Sequence, residues 1–330
     1  MGGHFMSLSP LRPSLPYVPG WKFTVQSHLP PPPFTATQRQ RGYTGQELED
    51  LWQLGPAEFC AQYPPLLGEM GSEKINLEII DLLKVKEPCN SQTFTVKVNQ
   101  GNFPPHSGKV VAKLYDPLYY DDADNWKSPC RIQDEKYSRE THAYSVLSEF
   151  QGSRIPYMYG SYSLDIPIEN SNKVRTVRLI LLEYIPGVDM QTAAPSDFDQ
   201  ETRQEIMKNI IEFESTVFFK DIILQDNHPR NIILPKGDPK RTVLIDFADV
   251  AFNRRFEDRY FPHPDFLLPG QYISPLLRWR TKKTAFSNWI DWEWRPWLKA
   301  QFAHTSSTIT PEIREVFGPS SDSEDSDDSD

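Results

Sequence analysis

The chain has 330 residues, a net charge of −10 and three cysteines, and its length allows two modest domains. The last ten residues carry six carboxylates and no base, which leaves the rest at −4, without the basic footprint of a nucleic-acid binder. Cys60, Cys89 and Cys130 have neither disulfide-frame nor zinc spacing, and no apolar run reaches membrane-spanning length. Free thiols, with no basic-then-apolar leader, suggest a reducing compartment, by default the cytoplasm with the nucleus as alternative.

Residues 1–42 hold Pro10, Pro13, Pro16, Pro19 and the run Pro30-Pro31-Pro32-Pro33, and read as a disordered leader, with a proline-motif ligand as the alternative. Thr44-Gly45-Gln46-Glu47 ahead of Leu48 has capping-box spacing and starts a short helix in an extension over 43–74. Ile75 to Val85 and Thr93 to Val98 read as strands about a turn at 87–92. Val110 to Tyr115 is a third strand, with Lys113 inside its apolar run. Residues 134–150 follow helical spacing, and Val177 to Ile185 is a long apolar strand closing on Pro186-Gly187.

From Asp199 to Phe218, Ile206, Ile210, Phe213 and Val217 recur at three and four residues, marking a buried helix. Leu224 to Leu234 is a polar loop running into an apolar strand, and Val243 to Ala248 is a second apolar strand ending on Asp246. Pairing the two strands as a hairpin brings Asp226, Asn231 and Asp246 close together on loop ends. The tryptophans of residues 252–300 read as core helices, with a base-stacking surface as the alternative. Residues 305–330 end in the acidic run and read as a disordered tail, where Ser323, Ser326 and Ser329 suit acidophilic kinases.

Several residues here want partners. A buried Lys113 ammonium is costly alone, and Glu140, on the helix face turned to the sheet, is its expected partner, with Glu135 as rival. Asp226, five residues before Asn231, can orient an attacking hydroxyl. Asn231 and Asp246 offer hard oxygen ligands for magnesium.

Lys113, Glu140, Leu182-Glu183-Tyr184-Ile185, Asp226 to Asn231 and Asp246-Phe247-Ala248, in this order, resemble the protein-kinase-like superfamily over roughly residues 75–300. Asp-Asn-His-Pro-Arg-Asn is similar to the aminoglycoside- and choline-type small-molecule phosphotransferases, which place His two residues after the catalytic Asp. The spacing of Glu140, Ala143 and Tyr144 is similar to kinase-like proteins of fungi.

The resemblance implies an α+β, bilobal kinase-like fold: a small antiparallel-sheet N-lobe over 75–185 and a mainly helical C-lobe over 186–304. It implies an ATP- and Mg2+-dependent phosphotransferase acting on a small-molecule or protein hydroxyl acceptor; charge and hydropathy add the expectation of no nucleic-acid or membrane partner. Asp226 and His228 would be catalytic. Lys113, Glu140, Leu182, Glu183 and Ile185 would hold the nucleotide, and Asn231 and Asp246 the metal.

Four departures matter. The turn over 86–92 lacks glycine, so phosphate cover would fall to Ser91 and nearby amides. Leu224 stands two before Asp226, where many kinases place histidine, and Ala248 replaces the glycine after Asp-Phe. No Ala-Pro-Glu follows, which weakens a protein substrate more than catalysis. A pseudokinase, a nucleotide-binding or scaffold module without turnover, is the alternative.

Overall fold

In the computed structural model, which describes residues 12–33, 42–99, 109–120, 128–254, 263–281 and 283–318, the chain is α+β. It divides into two units, one of Met1–His142 with Tyr157–Tyr184 and one of Ala143–Pro156 with Ile185–Asp330.

The first unit is a closed antiparallel barrel of six strands: β1 (Lys22–Leu29), β2 (Glu69–Lys84), β3 (Gln92–Val98), β4 (Val110–Tyr115), β5 (Met158–Pro167) and β6 (Val174–Glu183), in the order β1-β2-β3-β4-β6-β5. Strand β1 closes it, pairing Phe23 with Leu77 and Val25 with Ile75 of β2, and Ser27 with Tyr162 of β5. The expectation of a disordered leader therefore fails for residues 22–29. Phe23 and Val25 alternate with Thr24 and Gln26 and are buried in the barrel. The prolines flank the strand instead of interrupting it: Pro19 precedes a turn at Gly20 (φ +86°), and Pro30 follows the last residue. Residues 1–11 and 34–41 lie outside the described residues.

Helix α1 (Gly45–Gln53) begins at the expected capping box, where Glu47 N–H donates to Thr44 Oγ1 and Thr44 N–H to Glu47 Oε2. Helix α2 (Pro56–Gln62) follows, and β2 starts at Glu69, six residues earlier than its apolar pattern suggests. Helix α3 (Pro129–Val146) also starts ahead of the expected 134, and a 3-10 turn covers Ser148–Phe150.

In the second unit, helix α4 (Gln200–Phe219) is capped by Asp199, whose side chain accepts from Thr202 N–H, and its Ile206, Ile210, Phe213 and Val217 are buried as expected. Two small antiparallel ladders carry the polar loops. Strand β7 (Gly187–Asp189) pairs with β9 (Ile232–Pro235), which pairs with β10 (Val243–Leu244); β8 (Ile222–Leu224) pairs with β11 (Val250–Phe252). Trp279, Trp289, Trp294 and Trp297 are core residues, around short helices α5 (Pro275–Arg278) and α6 (Trp294–Phe302).

Part of the expected disordered tail is ordered as well. Helix α7 (Pro311–Phe317) is capped by Thr310, and Ile313 packs into a cluster with Phe218, Ile223 and Phe266. Ile313 and Phe317 lie four residues apart on one face of this helix, and with Ile309 just ahead of it they supply the apolar area that the acidic segment lacks. The acidic run itself, within 319–330, lies outside the described residues.

Candidate active site

Strand β4 alternates two ways. Val110, Ala112 and Leu114 belong to the barrel core, so Lys113 and Tyr115 stand on the opposite face. There Lys113 Nζ meets Glu140 Oε2 of α3 at 2.6 Å, with side-chain exposures of 7% and 0%. The expected pair is formed. The rival Glu135 instead pairs with Arg139, one helical turn on, at 2.6 Å. A third member was not foreseen: Tyr115 Oη donates to the same Glu140 Oε2 at 2.5 Å. Its signal was the two-residue spacing from Lys113, which fixes a shared face.

Leu182 is buried at the end of β6, paired with Val111, and Glu183 pairs with Val110. The Glu183 N–H donates to Tyr157 O at 2.8 Å, and its carboxylate accepts from Tyr157 N–H at 3.0 Å. That N–H is thus committed to the fold. Ile185 is half-buried and opens the second unit.

In the second unit, the β9–β10 hairpin and the β8–β11 pair lay two loops side by side. Gln225 N–H donates to Asp249 O at 3.0 Å, and Ile245 N–H to Asn231 O at 2.8 Å. Asp226 and Asn231 lie on one of these loops and Asp246 on the other, as the sequence suggested. Asn231 Nδ2 donates to Asp226 Oδ2 at 3.0 Å and to its carbonyl at 2.9 Å. Arg230 Nη2 holds Asp226 Oδ1. That guanidinium escaped the sequence reading, although its four-residue spacing from Asp226 was the available signal. His228 caps the 3-10 turn Pro229–Asn231, its Nδ1 accepting from Arg230 N–H at 3.4 Å. In a neutral imidazole this leaves the proton on Nε2, so His228 can serve the loop and still donate.

Asp246 adopts φ +66°, a left-handed conformation that Asp tolerates better than most residues, and its Oδ1 accepts from Ala248 N–H at 3.2 Å. Phe247 is fully buried against the Tyr144 ring, centroids 5.3 Å apart. An apolar anchor thus follows a carboxylate held in an uncommon backbone state.

Among the described residues, no three His, Cys, Asp or Glu side chains gather into a metal centre. The candidate set is one carboxylate, Asp246, and one amide, Asn231. Because Asn231 turns its NH2 group to Asp226, its amide oxygen is not needed there, and both ligands are hard oxygens suited to magnesium.

No protein-family model matches the chain, and no curated protein is similar enough to count as a relative. Among the described residues, no helix is long and apolar enough to cross a membrane.

Proposed function

We propose that the chain is an ATP- and Mg2+-dependent phosphotransferase of bilobal, protein-kinase-like fold, acting on a hydroxyl acceptor. The observation that carries this reading is the buried Lys113–Glu140 pair. Burying two charges costs several kcal/mol per ion in desolvation, and apolar residues of similar size are commonly as stabilising, so packing alone gives little reason for the pair. A lysine held in place by a carboxylate to meet anionic oxygens is a sufficient reason.

In this reading Lys113 neutralises phosphate oxygens while Glu140 holds it, and Leu182, Glu183 and Ile185 contact the base. Asp226 orients the acceptor hydroxyl and takes its proton as the new O–P bond forms and the bond to the ADP oxygen breaks. His228 donates from Nε2 to the transferring group. Asn231 and Asp246 hold magnesium, which when bound neutralises the phosphate oxygens. The acceptor is a hydroxyl of a small molecule or a protein.

The second reading is a pseudokinase. Two observations favour it: the Lys86–Gln92 turn lacks glycine, and both carboxylate oxygens of Asp226 are engaged, by Arg230 and Asn231. The two readings separate when the protein is incubated with labelled ATP and magnesium, with and without metabolite pools. Labelled product with stoichiometric ADP supports the enzyme. Nucleotide binding without ADP or product across the pools supports the pseudokinase.

A further inference from the structure

We propose that Tyr115 is a positioning residue for the nucleotide, the second donor that fixes Glu140 and makes the Lys113–Glu140 pair a permanent feature of the fold. The inference rests on the reading of Lys113 as the phosphate-gripping residue.

Strand alternation places Lys113 and Tyr115 two residues apart on the face of β4 turned away from the barrel core. Both reach one oxygen of Glu140, the ammonium at 2.6 Å and the phenol at 2.5 Å. The phenol cannot replace the cation, but it restrains the carboxylate. With one donor, a Glu side chain can rotate about its carboxylate axis and carry Lys113 with it. With a second donor fixed on the same strand, Oε2 has a single position that satisfies both. Tyr115 is itself immobilised: it is 2% exposed and its ring meets Tyr137 edge-on at 5.6 Å.

Helix α3 is tied over its first half, up to the turn before Glu140, which argues against its swinging to break the pair. Arg131 Nη2 reaches Glu47 of α1 at 3.0 Å, and Gln133 Nε2 donates to Asn90 O at 2.9 Å. Asp134 accepts from Leu66 N–H at 3.2 Å, and Tyr137 Oη bonds to His28 Nδ1 of β1 at 2.8 Å. These four partners come from before β4 and include residues of β1 and α1. The segment ahead of β2 thus braces the helix that carries Glu140. A protein built this way would hold its phosphate-gripping lysine in place without an activating partner.

The test compares ATP with adenosine, because only the phosphates require Lys113. Binding of each to the full chain is measured by calorimetry with magnesium, for wild type, Lys113→Met, Tyr115→Phe and the double variant. Phe keeps the ring and removes the donor. Loss of one hydrogen bond to a charged group predicts ATP binding weakened by about tenfold in Tyr115→Phe, the lower end of what such a bond contributes, because Glu140 keeps Lys113. Adenosine affinity should stay within about twofold, since no phosphate contact is lost. In the Lys113→Met background, Tyr115→Phe should add nothing, because Tyr115 acts through Lys113.

Equal weakening of ATP and adenosine, or full additivity in the double variant, would assign Tyr115 a packing role and overturn the inference. Unchanged ATP affinity in Tyr115→Phe, with Lys113→Met impaired, would overturn it while leaving the proposed function standing. A Lys113→Met variant that binds ATP as wild type does would remove both. If Tyr115→Phe does not fold, Tyr115→Met fills the same space flexibly and is read by the same criteria.

Discussion

The residues ahead of β2 are joined to the barrel by a buried triad whose cost can be worked out. Asp116 accepts from Tyr17 Oη on Oδ2 and from Arg175 Nη1 on Oδ1 at 2.6 Å, and all three side chains are 1–3% exposed. Tyr17→Phe retains the ring contacts with Phe94 and Trp21 and removes one bond to a carboxylate. Such bonds contribute about 1.5–3 kcal/mol, and Asp116 keeps Arg175, so a loss near the lower end, about 1.5 kcal/mol, is expected.

Asp116→Ala removes the acceptor of both and strands a buried guanidinium, which costs about 3–5 kcal/mol. The two variants should therefore rank clearly in urea unfolding, with amide exchange reporting on β1 and β2. The Tyr17 contribution also has a pH signature. Burial first, and then the charge of Asp116, push the Tyr17 phenol well above its usual value of 10.0. Its folded value exceeds its unfolded one, so its stabilisation is complete below pH 10 and declines as pH rises through the folded value. The cost of Tyr17→Phe should be constant from pH 7 to 9 and shrink above 10. A Tyr17→Phe protein as stable as wild type at pH 7, or Asp116→Ala costing no more than Tyr17→Phe, would refute the assignment of residues 12–29 to the fold.

In the second unit, Arg278 pairs with buried Glu214, and Trp279 Nε1 donates to the same carboxylate at 2.9 Å. Arg278→Met should cost about 3–5 kcal/mol, read by tryptophan fluorescence during unfolding. Burial raises the Glu214 carboxyl, but Arg278 and Trp279 outweigh it and hold it below its usual value. Its contribution in wild type is therefore present above pH 4.5 and lost as pH falls below the depressed folded value. The half-buried Asp134 runs the opposite way: desolvation raises its pKa to about 7, against Leu66 N–H and nearby arginines. What it contributes is present below pH 4 and lost as pH rises through about 7. Asp134→Asn should stabilise the protein at pH 8, by less than the limit of about 4 kcal/mol set by the shift, and much less at pH 4.5, with Tm following. Equal gains at both pH values would refute that desolvation.

The polar loops were legible because local pattern and tertiary role coincide there. Apolar strand, polar loop and apolar strand force Asp226, Asn231 and Asp246 onto neighbouring loops, and the capping boxes or caps at Thr44 and Asp199 are purely local signals. Lys113 was legible because an ammonium inside Val-Val-Ala-Lys-Leu-Tyr must find a carboxylate. Strand β1 was not read, since proline density spoke against structure while only Phe23 and Val25 carried the alternation. Its pairing with β5 is a long-range contact that no local pattern specifies. Helix α7 was hidden by the neighbouring acidic run, although Thr310-Pro311 and the four-residue apolar spacing mark it. Nothing local distinguishes Arg175 and Arg178 from surface charges, yet both are buried, because each finds an acceptor distant in sequence: Asp116 and Leu66 O.

Under the proposed function Asp246 and Asp226 divide metal binding and acceptor activation between them, and thermal stabilisation by ATP with and without magnesium separates the two roles. A ligand that binds only the native state stabilises it by about 2.7 kcal/mol at a hundredfold excess over Kd, so the magnesium-dependent increment should be plain in Tm. Asp246→Asn should lose that increment while Asp226→Asn keeps it, and turnover should fall by about two or more orders of magnitude in both. A wild-type protein that ATP stabilises equally with and without magnesium, or not at all, would contradict the proposed function.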